Sequence, residues 1–214
     1  MLTALQQTGL QGQTRVIMSS DHGNNQGVRG MWNKSTLYRE ATNIPLILAG
    51  PGIPEGNICN TNTNTNTNLI DIGPTVLDSA GLPADSSLPG RSLTTIANEA
   101  DDAARVGFSE YHAVGSPSAA YLLRQGQWAY HHYVGFEPEL FDMAADPGQC
   151  LNLALEEDHR AVRQQMEKLL TQMLDPQAVD QQAKADQDAL ISRFGGREAA
   201  LRKGPAGASP VPTR

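Results

Sequence analysis

Two short apolar runs, each followed by a turn, constrain the fold of this chain more than any other feature. The first, TRVIMSS (residues 14–20), leads into Asp-His-Gly, and the second, NIPLILAGPG (residues 43–52), ends in Pro-Gly. Short continuous apolar runs are typical of strands that are buried on both faces, in a sheet that lies between helices. They predict an α/β layer with polar side chains where the first strand ends.

The rest of the sequence predicts four consecutive parts. LIDIGPTVLDSAGL (residues 69–82) has apolar residues at helical spacing and belongs to the α/β part, which we assign to residues 1–103. Residues 104–154 contain short strand-like runs separated by turns and predict a small antiparallel-sheet subdomain. Residues 155–194 predict C-terminal helices, an amphipathic one followed by a more polar one. Residues 195–214, which end in a segment rich in Pro, Gly and Ala, predict a disordered tail.

Two further features carry little functional information. The repeat TNTNTNTN (residues 61–68) mixes a strand-favouring with a turn-favouring residue, and we interpret it as an exposed loop. The two cysteines, Cys59 and Cys150, lie far apart and form neither a disulfide framework nor a CxxC metal site. We interpret them as reduced thiols of a cytoplasmic protein.

Composition and charge exclude some classes of partner. The formal net charge is −7, and phosphate backbones need a basic surface, so no nucleic-acid partner is expected. The sequence has no apolar run of membrane-spanning length, and its first residues lack the basic and apolar regions of a signal peptide. We therefore expect no membrane partner and a cytoplasmic location.

Asp21, His22 and Lys34 are the residues whose chemistry suggests a site. Asp21 and His22 follow a predicted strand, and open α/β sheets bind ligands outside the carboxyl ends of their strands. A carboxylate oxygen suits Ca²⁺, Mg²⁺ or Mn²⁺, whereas an imidazole nitrogen suits Zn²⁺ or Mn²⁺ better, and two ligands alone are too few for any of them. Lys34 can bind an oxyanion such as sulfate or phosphate. From residue types alone, a turn cap and ordinary surface side chains are the favoured interpretation.

Four segments resemble the sulfatase family of the alkaline-phosphatase-like superfamily. They are SDHGNNQGVRGMWNKSTLYREATNIPLILAGPG (residues 20–52), LIDIGPTVLDSAGLP, GRSL (residues 90–93) and ELFDMAADPGQCLNLA (residues 139–154), and they follow the family's order. SEYHAVGS is most similar to the choline-sulfatase-like branch. The resemblance implies the C-terminal part of an alkaline-phosphatase-like sandwich, with a sheet between helices, followed by a small antiparallel-sheet subdomain and C-terminal helices.

The resemblance also implies roles for single residues. In this family the equivalents of Asp21 and His22 bind a divalent cation, usually Ca²⁺, with Mg²⁺ or Mn²⁺ as other candidates. Lys34 matches the lysine that contacts the oxygens of the sulfate ester, where negative charge builds up as the S–O bond breaks. His112, in Ser-Glu-Tyr-His, is a candidate for lining the pocket of a small-molecule sulfate ester. Asn24 departs from the family pattern, which has Asp there.

The family's nucleophile is missing from this sequence. Sulfatases use a formylglycine made from the Cys or Ser of a C-x-(P/A)-x-R motif, and neither Cys59 nor Cys150 lies in one. We therefore assign no catalytic residue, and the formylglycine modification is absent from this chain. The paired aspartates that complete the family's metal site are missing as well. We expect a partner, an N-terminal sulfatase part, and exposed apolar surface that makes the isolated chain prone to aggregate.

Three functions remain open at this stage. The first is hydrolysis of sulfate esters, through attack by the formylglycine of the N-terminal part. The second is hydrolysis of phosphonate or phosphodiester substrates on the same scaffold, where the same cation and Lys34 would serve a phosphoryl group. The third is a catalytically inactive fragment of a truncated gene. Oligomer formation through the polar helix at residues 177–194 also remains open.

Overall fold

The computed structural model describes residues 2–56, 65–113 and 116–203, which form two antiparallel sheets and flanking helices. The mixed α/β class with C-terminal helices is as predicted. The strands are β1 (Val16–Ser19), β2 (Leu46–Ala49), β3 (Gly107–Tyr111), β4 (Ala120–Gln125), β5 (Trp128–Tyr133) and β6 (Glu139–Asp142). The helices are α1 (Leu2–Gln7), α2 (Arg39–Thr42), α3 (Ile72–Ser79), α4 (Leu93–Asn98), α5 (Arg160–Met173), α6 (Pro176–Arg193) and α7 (Gly196–Lys203).

The two apolar runs form β1 and β2, which pair antiparallel with Met18 opposite Ile47. These two side chains are 50% and 55% exposed, so one face of the small sheet presents apolar surface. The prediction that both faces of these strands are buried is therefore wrong for the described residues, because none of the described elements covers that side. The prediction of exposed apolar surface is confirmed.

The helix predicted over residues 69–82 is present and is fixed at both ends. One 3-10 turn, Leu69–Asp71, leads into α3, and the backbone N–H of Asn68 donates to the Asp71 carboxylate at 2.8 Å. The helix ends before Gly81, whose φ of +68° is a conformation that glycine adopts most readily. The start and stop signals in the sequence thus predict this element well.

The interpretation of the Thr-Asn repeat as an exposed loop is wrong for its second half, while its first half lies outside the described residues. Thr65 and Asn66 are each only 5% exposed. The Asn66 amide donates to the backbone carbonyls of Arg105 and Arg124 at 2.9 and 3.1 Å. A side chain that satisfies backbone groups from distant segments cannot be recognised from residue propensities, which describe only local structure.

The four strands β3 to β6 form the predicted antiparallel sheet, with neighbours in sequence order. Tyr121 and Leu123 face the core under α5 and α6, whereas Ala120 and Leu122 face a second core that includes Leu37. Successive side chains of β4 point to opposite faces of the sheet, and both faces are buried. Because Leu37 comes from the N-terminal part of the chain, that part packs directly on the sheet, and the division at residue 103 stays a prediction.

The C-terminal helices pack on the face of this sheet that is opposite Leu37. The amphipathic pattern of α5 correctly predicts that Met166 and Leu170 are buried. The polar helix α6 is anchored by Asp180, which is 6% exposed and accepts hydrogen bonds from the Ala119 backbone N–H at 2.7 Å and from Lys184 at 2.8 Å. A buried carboxylate therefore contributes to the attachment of a helix that has little apolar surface.

The disordered tail predicted for residues 195–214 is wrong for its first part, because Gly196–Lys203 is helical. Its sequence consists largely of good helix formers, and Arg202 pairs with Glu198 one turn earlier at 3.1 Å. Residues 204–214 and Cys59 lie outside the described residues, and Cys150 is a free, exposed thiol. Among the helices of the described ranges, none combines the length and the apolar character needed to cross a bilayer.

Candidate metal and anion site

Asp21 and His22 lie directly after β1, where the strand gives way to a turn. The backbone N–H of His22 donates to the Asp21 carboxylate at 3.0 Å, and the Ser20 hydroxyl donates to the His22 carbonyl at 2.9 Å. The Asp21 side chain is 81% exposed. The hydrogen bond from the His22 backbone lowers the pKa of Asp21, and the charge of Lys34 makes a smaller contribution in the same direction, so the carboxylate is ionised at neutral pH.

Gly23 allows the chain to leave the strand in close contact with α2. Its N–H donates to the Ala41 carbonyl at 2.8 Å. A Cβ at position 23 would lie 2.0 Å from the carbonyl oxygen of Glu40, which is far inside van der Waals contact. Glycine is therefore required here for close approach to backbone, rather than for a left-handed turn.

The segment of residues 24–35, which we call the lysine loop, brings Lys34 back to the end of β1. Asn25 is fully buried, and both its backbone N–H and its side-chain amide donate to the Asn33 carbonyl, at 2.8 and 2.6 Å. Thr36 donates to the Asn25 side-chain oxygen at 3.2 Å. These bonds close the base of the loop and fix the backbone position of Lys34.

The structure brings Asp21, His22 and Lys34 together. Lys34 Nζ lies 2.5 Å from His22 Nε2, and Asp21 Oδ2 lies 3.4 Å from the same nitrogen. His22 Nδ1 lies 2.8 Å from the Gly23 carbonyl oxygen, which can only accept, so Nδ1 carries the proton and Nε2 presents its lone pair. That lone pair is occupied by the Lys34 ammonium and is the one that a metal ion would use.

The donor set fits part of a divalent-cation site. A carboxylate oxygen and an imidazole nitrogen 3.4 Å apart can occupy neighbouring positions around one cation. The described residues hold no group of three or more His, Cys, Asp or Glu side chains that could bind a metal. Further carboxylate or imidazole ligands would have to come from outside the part of the chain that the structure describes.

The three residues lie on the wall of a cleft of about 330 Å³. Its other walls come from the segment around α2, from the start of the α3 turn and from β3, including Leu37, Ile70 and Tyr111. His112 is not among the lining residues. Its ring contacts the edge of Tyr121, with centroids 5.6 Å apart, and its Nε2 lies 3.3 Å from Glu110. A substrate-binding role for His112 stays a prediction, as do the roles of Asp21, His22 and Lys34.

Sequence reasoning missed a buried polar cluster beneath the lysine loop, which we call the Glu139 hub and define as Tyr38, His131, Tyr133, Glu139 and Gln149. The hydroxyls of Tyr38 and Tyr133 each donate to the Glu139 carboxylate at 2.7 Å, and His131 Nδ1 lies 3.4 Å from it. The only signal in the sequence is the pair His131-His132. On a strand that pair predicts one inward-facing histidine but not its partners.

Charge in the hub is confined to Glu139. Burial lowers the pKa of His131, which is completely buried, so the ring is neutral at neutral pH. Burial also raises the pKa of Glu139, but hydrogen bonds from His131, Tyr133 and Tyr38 outweigh it, and the net effect is a lowered pKa. The hub thus contains one carboxylate that accepts hydrogen bonds from neutral donors. These hydrogen bonds reduce the free-energy cost of burying its charge.

Comparison with known proteins agrees with the resemblance seen in the sequence. Residues 27–176 match the family described as N-sulphoglucosamine sulphohydrolase, C-terminal. The chain is 34% identical to arylsulfatase K of Rattus norvegicus over 167 residues, which cover 73% of this chain and 29% of that protein. The chain therefore spans about a third or less of the length of such relatives.

Two solved structures share the fold of this chain, and in each the match covers most of this chain but less than half of the other. A protein described as a 2-O GAG sulfatase has a TM-score of 0.68 and 27% identity, covering 88% of this chain and 40% of that one. The phosphonate monoester hydrolase of Silicibacter pomeroyi has a TM-score of 0.69 and 26% identity, covering 80% and 37%. The choline-sulfatase-like branch stays a prediction. The family match extends over most of the chain, and the chain therefore belongs to the sulfatase family, of which it represents the C-terminal portion.

Proposed function

We propose that this chain supplies two cation ligands and an anion-binding lysine to a sulfatase that hydrolyses small-molecule sulfate esters. The observation that carries the proposal is the convergence of Asp21, His22 and Lys34 on one cleft wall, within contact distance of one another. Membership of the sulfatase family supports the choice of sulfate as the anion. The whole enzyme would also contain an N-terminal part that carries the formylglycine nucleophile and the remaining ligands.

Each of the three residues has a distinct task in this proposal. The ionised Asp21 carboxylate and the Nε2 lone pair of His22 would hold a divalent cation, Ca²⁺ or alternatively Mg²⁺ or Mn²⁺. When bound, that cation would neutralise charge on the sulfate oxygens. The Lys34 ammonium would donate to an ester oxygen and stabilise the negative charge that develops as the S–O bond breaks. The proton on His22 Nδ1, held by the Gly23 carbonyl, keeps the ring oriented for this purpose.

A rate measurement tests the assignment of Lys34. The chain would be co-expressed with an N-terminal sulfatase part that carries the C-x-(P/A)-x-R motif, and the complex assayed on an aryl sulfate. We expect Lys34→Ala to lower kcat by about 100-fold or more, as for other removed oxyanion donors. Lys184→Ala is the matched control, because Lys184 pairs with Asp180 away from the cleft. Equal rates for the two variants would refute the role of Lys34.

Phosphonate ester hydrolysis is the second candidate, favoured by the structural similarity to a phosphonate monoester hydrolase. A cation and a lysine stabilise a phosphoryl group by the same electrostatics. Rates of the same complex on an aryl sulfate and on an aryl phosphonate ester decide between them. A higher kcat/KM on the sulfate supports the proposed function, and a higher value on the phosphonate supports the alternative. Activity on neither substrate would support a catalytically inactive fragment.

A further inference from the structure

Arg29 occupies a backbone conformation that is unfavourable for its residue type. Its φ is +54°, in the left-handed region, and Gln26 and Asn33 in the same loop have φ values of +49° and +69°. A side chain with a Cβ adopts this region only when surrounding contacts hold it there. Asparagine adopts this region readily, so the lysine loop contains two residues, Gln26 and Arg29, that need external support.

The Arg29 side chain provides such support by contacting three separate segments. Nη2 donates to the carboxylate of Glu40 in α2, and Nη1 donates to the carbonyl of Gly148 in the turn after β6. The guanidinium also lies over the ring of Tyr38, 4.2 Å from its centroid. The side chain is only 18% exposed, so these contacts are shielded from solvent. Planar geometry lets one arginine meet all three, which a lysine cannot do.

The partners of Arg29 are themselves held by the Glu139 hub. Tyr38 donates to Glu139, and the side-chain oxygen of Gln149, next to Gly148, accepts from the Arg39 backbone N–H at 2.7 Å. The hub lies against the four-stranded sheet, with the Tyr38 and His131 rings 5.3 Å apart. The anchor points of Arg29 are therefore fixed by the packed sheet rather than by the loop.

The position of Lys34 depends on the loop that Arg29 anchors. The Gly27 N–H donates to the Met31 carbonyl at 2.8 Å, which closes a tight turn around Arg29. The next cross-link, from Asn25 to Asn33, directly precedes Lys34. A change of backbone angle at position 29 would rotate this turn and move the residues that follow it.

We propose that Arg29 is a positioning residue, whose guanidinium clamps the lysine loop to α2, Tyr38 and the Gly148 turn and so holds Lys34 against His22. The inference deepens the function proposed above and rests on it for the meaning of Lys34. Arg29 does not touch the cation ligands or the cleft. It acts only through the loop.

Nuclear magnetic resonance on the complex with an N-terminal sulfatase part, with isotope labels only in this chain, tests the clamp directly. With EDTA present, wild type should show a nuclear Overhauser effect between the Lys34 side chain and the His22 ring, whose nitrogens are 2.5 Å apart. We expect Arg29→Gly to lose this signal, although glycine accepts the backbone angle without strain. Arg39→Gln is the matched control, because Arg39 donates to Pro147 in the same turn but lies outside the loop, and it should keep the signal.

Two further variants keep the outcome decisive. Arg29→Lys should show a signal weaker than that of wild type but stronger than that of Arg29→Gly, because an ammonium group cannot contact all three partners. If Arg29→Gly fails to fold, Glu40→Gln decides, since it leaves the backbone at position 29 unchanged and should weaken the signal. An undiminished signal in the folded variants would overturn the clamp. This readout needs neither cation nor sulfate, so its failure is distinct from a failure of Lys34 in the rate assay.

Discussion

Asp71 and Arg105 form the ion pair on which the stability of this chain should depend most strongly. Asp71 is completely buried and Arg105 is 13% exposed. The pair joins the turn before α3 to the segment that leads into β3. Each carboxylate oxygen accepts one bond from the guanidinium and one from backbone. Oδ1 accepts from Arg105 Nη2 at 2.7 Å and from the Arg91 N–H at 2.9 Å. Oδ2 accepts from Arg105 Nη1 at 3.1 Å and from the Asn68 N–H at 2.8 Å.

The substitution Asp71→Asn keeps the shape of the side chain but turns one acceptor into a donor. Whichever oxygen is replaced, the new amide group faces one guanidinium N–H and one backbone N–H, so two hydrogen bonds are lost. The charge of Arg105 is also left without its partner in a buried position. Breaking a buried ion pair in this way costs about 3–5 kcal/mol, and we expect the free energy of unfolding to fall by that amount.

Urea denaturation measures this loss as a lower midpoint at an unchanged m-value. Glu99→Gln is the matched control, because Glu99 also pairs with an arginine, Arg91, but the two side chains are 49% and 44% exposed. An exposed pair contributes about 0–1 kcal/mol, so this variant should unfold close to wild type. A loss below about 1 kcal/mol for Asp71→Asn, or equal losses for both variants, would refute the reasoning.

Gly23→Ala should cost about 1–3 kcal/mol in denaturation, because the new Cβ collides with the Glu40 carbonyl, whereas Gly12→Ala meets nothing within 4 Å and should stay within about 0.5 kcal/mol. Burial holds the His131 pKa below its ordinary value, so the unfolded chain takes up that proton at higher pH than the folded chain. The free energy of unfolding should therefore fall as pH drops below about 6.5, by up to about 1.4 kcal/mol per pH unit, and His131→Gln should flatten this slope. Asp21→Asn should weaken Ca²⁺ binding by the assembled complex about tenfold, measured by calorimetry, and unchanged affinity would exclude Asp21 as a ligand. On heating, the isolated chain should aggregate through its exposed apolar surface, and a sharp two-state melt from a monodisperse monomer would contradict that expectation.

Local patterns in the sequence predicted those elements that depend on local physics. Short strand-like runs separated by turns identified the antiparallel sheet, helical spacing identified α3 and α5, and Gly81 marked the end of α3. The resemblance to sulfatases identified Asp21, His22 and Lys34 as one site, and the structure brings the three together. The lysine loop brings Lys34 back to the end of β1 within a short segment of sequence. A short sequence signature could therefore identify the three residues as one site.

The missed features depend on contacts between distant segments. The burial of Asn66 follows from backbone carbonyls about 40 and 60 residues away. Arg29 looks like an exposed loop residue in the sequence, yet its partner Gly148 lies 119 positions later. The helix α7 was overlooked because two glycines, Gly195 and Gly196, lie at its start, and composition alone suggested a tail. The role of a buried polar residue can be inferred only when its hydrogen-bond partner is known. A single sequence does not show which distant residues are partners.

The contact between Lys34 and His22 also has a thermodynamic consequence. The Nε2 lone pair of His22 can accept the lysine ammonium or coordinate a cation, but it cannot do both at once. In the proposed site, cation binding must first release Lys34, and the energy of that contact is subtracted from the cation affinity. An anion that draws Lys34 away removes this cost, so sulfate and cation should each strengthen the binding of the other by the same factor. A single shared lone pair would thus make the site cooperative without any movement of the fold.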